Sequence, residues 1–438
     1  MKFALIGQDI PALLPGLLAD LLFAGRQGAD VYVEEKNAAM QDVLERYARA
    51  IFLKSGLPGA FHATGNRAEA LRGADCVLYA GDVMAASRFR QDKEALSGTT
   101  EDDPGLTEQA RVNGGIGGLM HTLRQGESVL DLCEDMREHC PGALVINLGQ
   151  PVARTTAMFE GEGFRCYGLG RTPLRGANGL DSLCKKIGKK FTEVQAVMAG
   201  LPGFAFLLSA RDGDENLLPA LTDLTAQGEF GRLAQRWLDW YEAIPVGDVT
   251  DHAEFLPAQE DYIPEEEPVF GESIEARKER ILHMNAVGDK GASSQEGMMA
   301  QLVLLSKAPP IRPMRLALAL VRGDDLDMEA VTRVNGGELP QLAKHAIIES
   351  RLTLDKGQIR PHGWQLPAPL VEICGEIDET NRLAAQAAAG DRTALRECIE
   401  IDPALAGLDR LYCQELVDRL IAMHDDILER LYGATPCF

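Results

Sequence analysis

Gly7-Gln8-Asp9-Ile10 follows a short apolar run, Phe3-Ala4-Leu5-Ile6, and leads into a helix-like stretch at 11–24. A glycine turn at such a junction lets backbone approach a pyrophosphate held at the helix N-terminus. Only one glycine is present, and Asp9 adds a negative charge near the phosphates unless its side chain points away. The next apolar run, Val31-Tyr32-Val33, ends in Glu34, where a carboxylate can accept hydrogen bonds from a ribose diol and reject a 2′-phosphate. A solvated strand end is the other reading of Glu34. A second cluster, Asn113-Gly114-Gly115-Ile116-Gly117-Gly118, opens a helix. It has more glycine than a turn needs, so its N–H groups are expected to face a ligand, as an anion nest or a point of close approach.

The elements that must position these groups alternate. Apolar runs at 3–6, 31–33, 76–80, 143–147 and 164–169 are separated by helical segments, which predicts a parallel, Rossmann-like sheet covered by helices on both faces. After about residue 195 the alternation stops, so the reading divides the chain into 1–195, a nucleotide-binding domain, and 196–438, a helix-rich α+β domain for substrate and oligomer contacts. Strands are expected at 314–321 and 346–353, and amphipathic helices at 272–289, 367–389 and 409–432. The polar, Pro-interrupted stretch 257–268 reads as a surface loop.

With 44 Lys plus Arg against 66 Asp plus Glu, the net charge of −22 repels nucleic acid and anionic membranes. No apolar run approaches the roughly 18 residues of a membrane span. The N-terminus continues into a strand–helix pattern without a cleavage site, so a soluble, cytoplasmic protein is expected. Nine scattered cysteines without a Cys-x-x-Cys pair read as reduced thiols.

Several passages are similar to the NAD-dependent family 4 glycoside hydrolases, in particular the α-galactosidase and α-galacturonidase branch. They are the Gly117–Arg124 segment, the turn Asn147-Leu148-Gly149-Gln150-Pro151, the stretch from Glu242-Ala243-Ile244-Pro245 to Glu254-Phe255-Leu256-Pro257, and Asn335 to Leu342. Ile347-Ile348-Glu349, Leu366-Pro367 and Ile401-Asp402-Pro403 continue the match. Order and spacing agree over nearly the whole chain. The resemblance implies a lactate/malate dehydrogenase-like architecture and a bound NAD that takes hydride from carbon 3 of a sugar, which acidifies the proton on carbon 2. Elimination of the aglycone, addition of water and return of hydride follow. It also implies a divalent metal on a Cys and a His, but Gly170 and Gly203 stand at those positions, so no metal is expected.

By the same resemblance, cofactor contacts fall on Gly7, Gln8, Asp9, Ile10, Glu34, Gly115, Gly117 and Asn147. Substrate contacts fall on Arg124, Gln150 and Asn335. Proton transfer falls on Asp251 or His252, and Arg171 offers a fixed positive charge in place of the metal. Arg154 and Arg175 add basic groups suited to a carboxylate or phosphate on the sugar. Cys166, four residues before Gly170, reads as a core thiol. Two functions stay open: a metal-independent enzyme acting on a glycoside or sugar acid, and an inactive homologue kept as a binding or regulatory subunit. A dimer or tetramer of the chain is implied in either case.

Overall fold

The computed structural model describes residues 1–24, 28–81, 85–98, 105–170, 178–257, 272–290 and 312–433. The short apolar runs of the first third become parallel strands: β1 (Lys2–Ile6), β2 (Asp30–Glu34), β3 (Phe61–Thr64), β4 (Cys76–Tyr79), β5 (Leu144–Asn147) and β6 (Cys166–Gly168). They pair in the order β6-β5-β4-β1-β2-β3. β4 and β5 are buried at every residue, as expected of parallel strands covered on both faces. The crossovers are α1 (Ile10–Ala24), α2 (Ala38–Ser55), α3 (Arg67–Leu71), α4 (Ala85–Leu96), α5 (Gly115–His139) and α6 (Val152–Gly161). Local chemistry sets their ends. The Asn37 side chain accepts from the Ala39 and Met40 amides at the start of α2, and Gly56, at φ 66°, closes it.

Beyond β6 the same sheet continues in antiparallel fashion. Its further strands are β7 (Gln195–Leu201), β8 (Phe204–Asp212), β9 (Glu215–Asn216), β10 (Ile244–Val246), β11 (Leu326–Val334), β12 (Ile347–Asp355) and β13 (Gln358–Ile359). The order β10-β8-β7-β12-β11 meets β6 where Thr332 pairs with Gly168. A parallel Rossmann-like half is thus joined to an antiparallel, helix-rich half. The later helices are α7 (Leu180–Lys186), α8 (Leu218–Ala226), α9 (Arg232–Tyr241), α10 (Val249–Ala253), α11 (Ile274–Lys290), α12 (Pro313–Arg322), α13 (Ala368–Ala388), α14 (Arg392–Ile401), α15 (Arg410–Met423) and α16 (Glu429–Gly433). α13 packs across α5 and α6 and shares their core, while α11 and α12 lie against α2 and α1 on the other face.

One expectation is corrected. Residues 314–321 form a helix, α12, and the strand of this region is 326–334. The Leu-Ala alternation mimics a strand period, but Pro313 begins a helical turn, Leu and Ala favour helix, and Gly323 at φ 76° ends it. Met314 and Leu316 to Ala319 are buried on a helix that packs against α1, β4 and β5. The expected stretch 409–432 is divided into α15 and α16. The expected loop lies outside the described residues from 258 onward. No helix among the described residues is long and apolar enough to cross a membrane.

Candidate active site

The C-terminal ends of β1, β2 and β4 open into a cavity of about 760 Å³. This is the edge at which open parallel sheets bind ligands. Gly7, Gln8 and Asp9 line its floor, and Ile10 is buried at the start of α1. Gly7 is at φ 123°, and a Cβ there would lie 2.3 Å from the Ala80 carbonyl oxygen, so the turn after β1 admits only glycine. The Asp9 amide donates to that same carbonyl at 3.1 Å.

Glu34 reaches the cavity with its carboxylate already engaged: Arg67 Nε lies 3.1 Å from it, and Arg67 also bonds Asp135 at 3.1 Å. Across the cavity Glu272 is paired with Arg280 at 2.8 Å. The Glu35 carboxylate accepts from the Asn37 amide. Lys36, Arg90 and Arg277 also line the cavity, and among the described residues none of the three has an ion pair. The lining thus mixes these cations with the carboxylates of Asp9, Glu34, Glu35 and Glu272, in a protein of net charge −22.

The second glycine cluster lies elsewhere. Gly114, Gly115, Gly117 and Gly118 are buried. A Cβ on Gly114 would lie 2.1 Å from the Glu254 carbonyl oxygen, on Gly117 2.5 Å from the Arg111 amide, and on Gly118 2.5 Å from Asn113. Gly115 is at φ 60°, and its Cβ would meet Gln109 at 2.2 Å. The close approach these glycines permit is to the chain itself. Two side chains, Arg111 and Glu254, fix this contact. Arg111 Nη1 donates to the carbonyls of Ala253, Glu254 and Leu256 at 2.7–3.2 Å, and the Glu254 carboxylate accepts from the Asn113 amide and side chain at 2.6 and 2.8 Å.

The residues expected at the sugar end are mostly bonded within the protein. Asn147 donates to Thr155 and Thr156 and accepts from the Gly149 amide. Asn335 is buried and bridges its own loop, from Gly337 to Ala343. Arg124 is buried in a 2.8 Å ion pair with Asp92, which also holds His424 at 2.6 Å. Arg154 is buried and donates to Asn381 and Thr122. His252 is buried with Nδ1 3.1 Å from the Asp248 carbonyl and Nε2 2.9 Å from that of Ala205. Burial holds its pKa below the usual value, although both carbonyls favour the charged ring. Arg171 and Arg175 lie outside the described residues.

Asp251 is half-buried, and with Gly203 and Glu349 it lines a space of about 10 Å³, enough for one water. Glu349, on β12, is the residue that sequence reasoning missed as a chemical group. Burial pushes its carboxyl up to about 8; the Thr332 hydroxyl works the other way, and the Asp251 charge adds to the rise. A protonated acid thus stands beside a carboxylate. The metal positions do not fit a metal. Gly203, at φ 79°, faces the Phe255 ring, which a Cβ would approach to 3.2 Å, and Gly170 faces Val152 at 3.0 Å with Gln150 behind it. Cys166 is fully buried, its thiol pushed well above the ordinary range. Among the described residues no three His, Cys, Asp or Glu side chains form a group that could hold a metal ion.

Residues 27–167 match the model of the family 4 glycosyl hydrolases. Over these residues the chain is similar to the family 4 glycosyl hydrolases. An α-glucosidase of Erwinia rhapontici is 32% identical over 158 residues, which are 35% of this chain and 33% of that enzyme, so this match spans a third of the relative's length. A Bacillus subtilis (strain 168) protein named "Probable 6-phospho-beta-glucosidase" is 22% identical over 429 residues, covering 90% of this chain and 88% of its own. The fold is that of a 6-phospho-α-glucosidase from gut microorganisms solved in complex with NAD and Mn2+. It superposes with a TM-score of 0.72 at 15% identity, over 97% of this chain and 98% of that one. The open cavity lies at the C-terminal strand ends of the parallel half.

Proposed function

We propose that this chain binds NAD in the large cavity and acts, without a divalent metal, on a glycoside or sugar acid by transient hydride abstraction. The observation that carries this reading is the 760 Å³ cavity at the strand ends, floored by the Gly7 turn and with Lys36, Arg90 and Arg277 on its wall. The NAD in the solved relative supports it. Gly7 and the N-terminus of α1 would hold the pyrophosphate, with Arg90 contributing charge. When bound, the nicotinamide supplies a reversible hydride acceptor. The residues of the chain do the proton chemistry: Asp251 is the base, and Glu349 keeps its proton at neutral pH and offers an acid beside it.

A second reading, an inactive homologue that binds the dinucleotide as a regulatory subunit, is favoured by one observation. Asn147, Arg124, Asn335 and His252 all spend their polar groups on the protein. One experiment separates the two. Sugar-acid glycosides are incubated with the protein, NAD and EDTA in D2O, and NMR follows deuterium entering carbon 2 and release of the aglycone. Exchange and release in EDTA are expected. NAD binding with no exchange on any substrate would establish the regulatory reading in place of the catalytic one.

A further inference from the structure

Glu34 and Arg67 both line the cavity, at the end of β2, where an adenosine ribose lies in a sheet of this kind. The sheet fixes the backbone there. Glu34 pairs with Thr64 of β3, and the Glu35 amide donates to the Thr64 carbonyl at 2.9 Å. The chain then turns through Gly65 and Asn66, whose amide donates to the Thr64 hydroxyl at 3.1 Å, and enters α3 at Arg67. Arg67 therefore follows closely on the strand partner of Glu34 and reaches back to it. Its Nε lies 3.1 Å from Glu34 Oε2, and its Nη1 lies 3.1 Å from Asp135 Oδ2 on α5. The guanidinium is thus fixed from two sides. The side chain of Glu34 is 9% exposed and that of Arg67 27%, so solvent screens this pair less than one on the open surface. Glu34 Oε1 accepts no hydrogen bond among the described residues. One oxygen of the carboxylate is anchored, and the other is left for the cavity.

Resting on the dinucleotide reading above, we propose that Arg67 is a positioning residue for the adenosine ribose, holding Glu34 Oε2 so that Oε1 accepts from the ribose 2′-hydroxyl. A carboxylate free to turn about its side-chain torsions would lose that freedom on binding, whereas Glu34 has already lost it to Arg67. Charge supports the same arrangement. Asp135 shares the guanidinium, and two carboxylates against one cation leave the group negative. Glu34 therefore keeps the charge that strengthens its hydrogen bond to a hydroxyl and repels a 2′-phosphate. Asp135 is not among the residues lining the cavity, so its effect on the ligand passes through Arg67.

Calorimetry on the full chain compares NAD with NAD lacking the adenosine 2′-hydroxyl, for wild type, Arg67→Met and Asp135→Asn, with folding checked by circular dichroism. Wild type is expected to bind NAD about tenfold more tightly than the deoxy ligand, the scale of one hydrogen bond to a charged group. Arg67→Met should bring that ratio below about twofold by weakening NAD alone, and Asp135→Asn should bring it to about threefold. The ratio isolates the hydroxyl contact, since a purely structural loss weakens both ligands equally. Equal weakening by Arg67→Met, or an unchanged ratio in either variant, would overturn the proposal and leave the dinucleotide reading intact. Should Arg67→Met not fold, the ratio in Asp135→Asn decides alone. Equal affinity of wild type for the two ligands would also overturn the proposal, by removing Glu34 from the ribose. Failure of both to bind wild type would overturn the parent reading with it.

Discussion

Glu349 is an acid that the fold keeps protonated. Its folded pKa of about 8 stands above the ordinary glutamate value of 4.5, so the folded state binds a proton that the unfolded chain gives up at lower pH. The stability this group contributes is complete below about pH 4.5 and is lost as the pH rises to about 8. Asp20, raised by burial to about 6, acts in the same direction over a narrower window. His121, pushed down to about 3 by burial and then by the charge of Arg124, acts oppositely: stability falls as the pH drops from about 6.5 toward 3. Thermal stability should therefore decline between pH 5 and 8, and Glu349→Gln should flatten that decline by an amount on the order of a few kcal/mol. Parallel curves for wild type and variant would show that the carboxyl is ionised in the folded state. The sequence names Glu349 only as one letter of a matching segment, because nothing local reveals that β12 brings it beside Asp251. The same limit applies to Arg124, Asn147 and Asn335. A sequence gives the residue type, but the partner that occupies the side chain comes from Asp92, Thr155 or the carbonyl of Leu339, far away or across a loop.

At the level of elements, two kinds of contact hold the helices that frame the site. Arg124 of α5, Asp92 of α4 and His424 just after α15 form a buried chain, with Arg88 continuing it at 3.1 Å from His424. Asp92→Ala would strand a buried guanidinium, so it is expected to cost about 3–5 kcal/mol, read by chemical denaturation; a cost under about 1 kcal/mol would mean that water reaches Arg124. The glycines at the head of α5 are the second kind. Gly117→Ala would place a Cβ 2.5 Å from the backbone of Arg111, and the overpacking should lower stability by about 1–3 kcal/mol while leaving dinucleotide affinity within about twofold, since the clash is with the chain and not with the cavity. A selective loss of affinity would return these glycines to the ligand. The parallel strands were legible because their apolar runs are short, unbroken and spaced by helical segments. α12 was not, because its Leu-Ala pattern satisfies two periods at once, and packing against α1 decides between them.

At the scale of the whole molecule, with a charge of −22, the cavity residues Lys36, Arg90 and Arg277, which have no ion pair among the described residues, are where a dinucleotide's phosphates would be attracted. Attraction there is electrostatic and partly exposed, so raising the salt from about 0.05 to 0.5 M should weaken dinucleotide binding several-fold, measured by titration at each ionic strength; a salt-independent affinity would assign binding to apolar contacts instead. Calorimetry of NAD with the purified protein, as isolated and after EDTA treatment, tests whether the nucleotide end works while the metal positions are lost. Saturable binding in the micromolar range, unchanged by EDTA, is expected. No binding at millimolar NAD would contradict a working nucleotide end, and binding abolished by EDTA and restored by Mn2+ would contradict the loss of the metal positions.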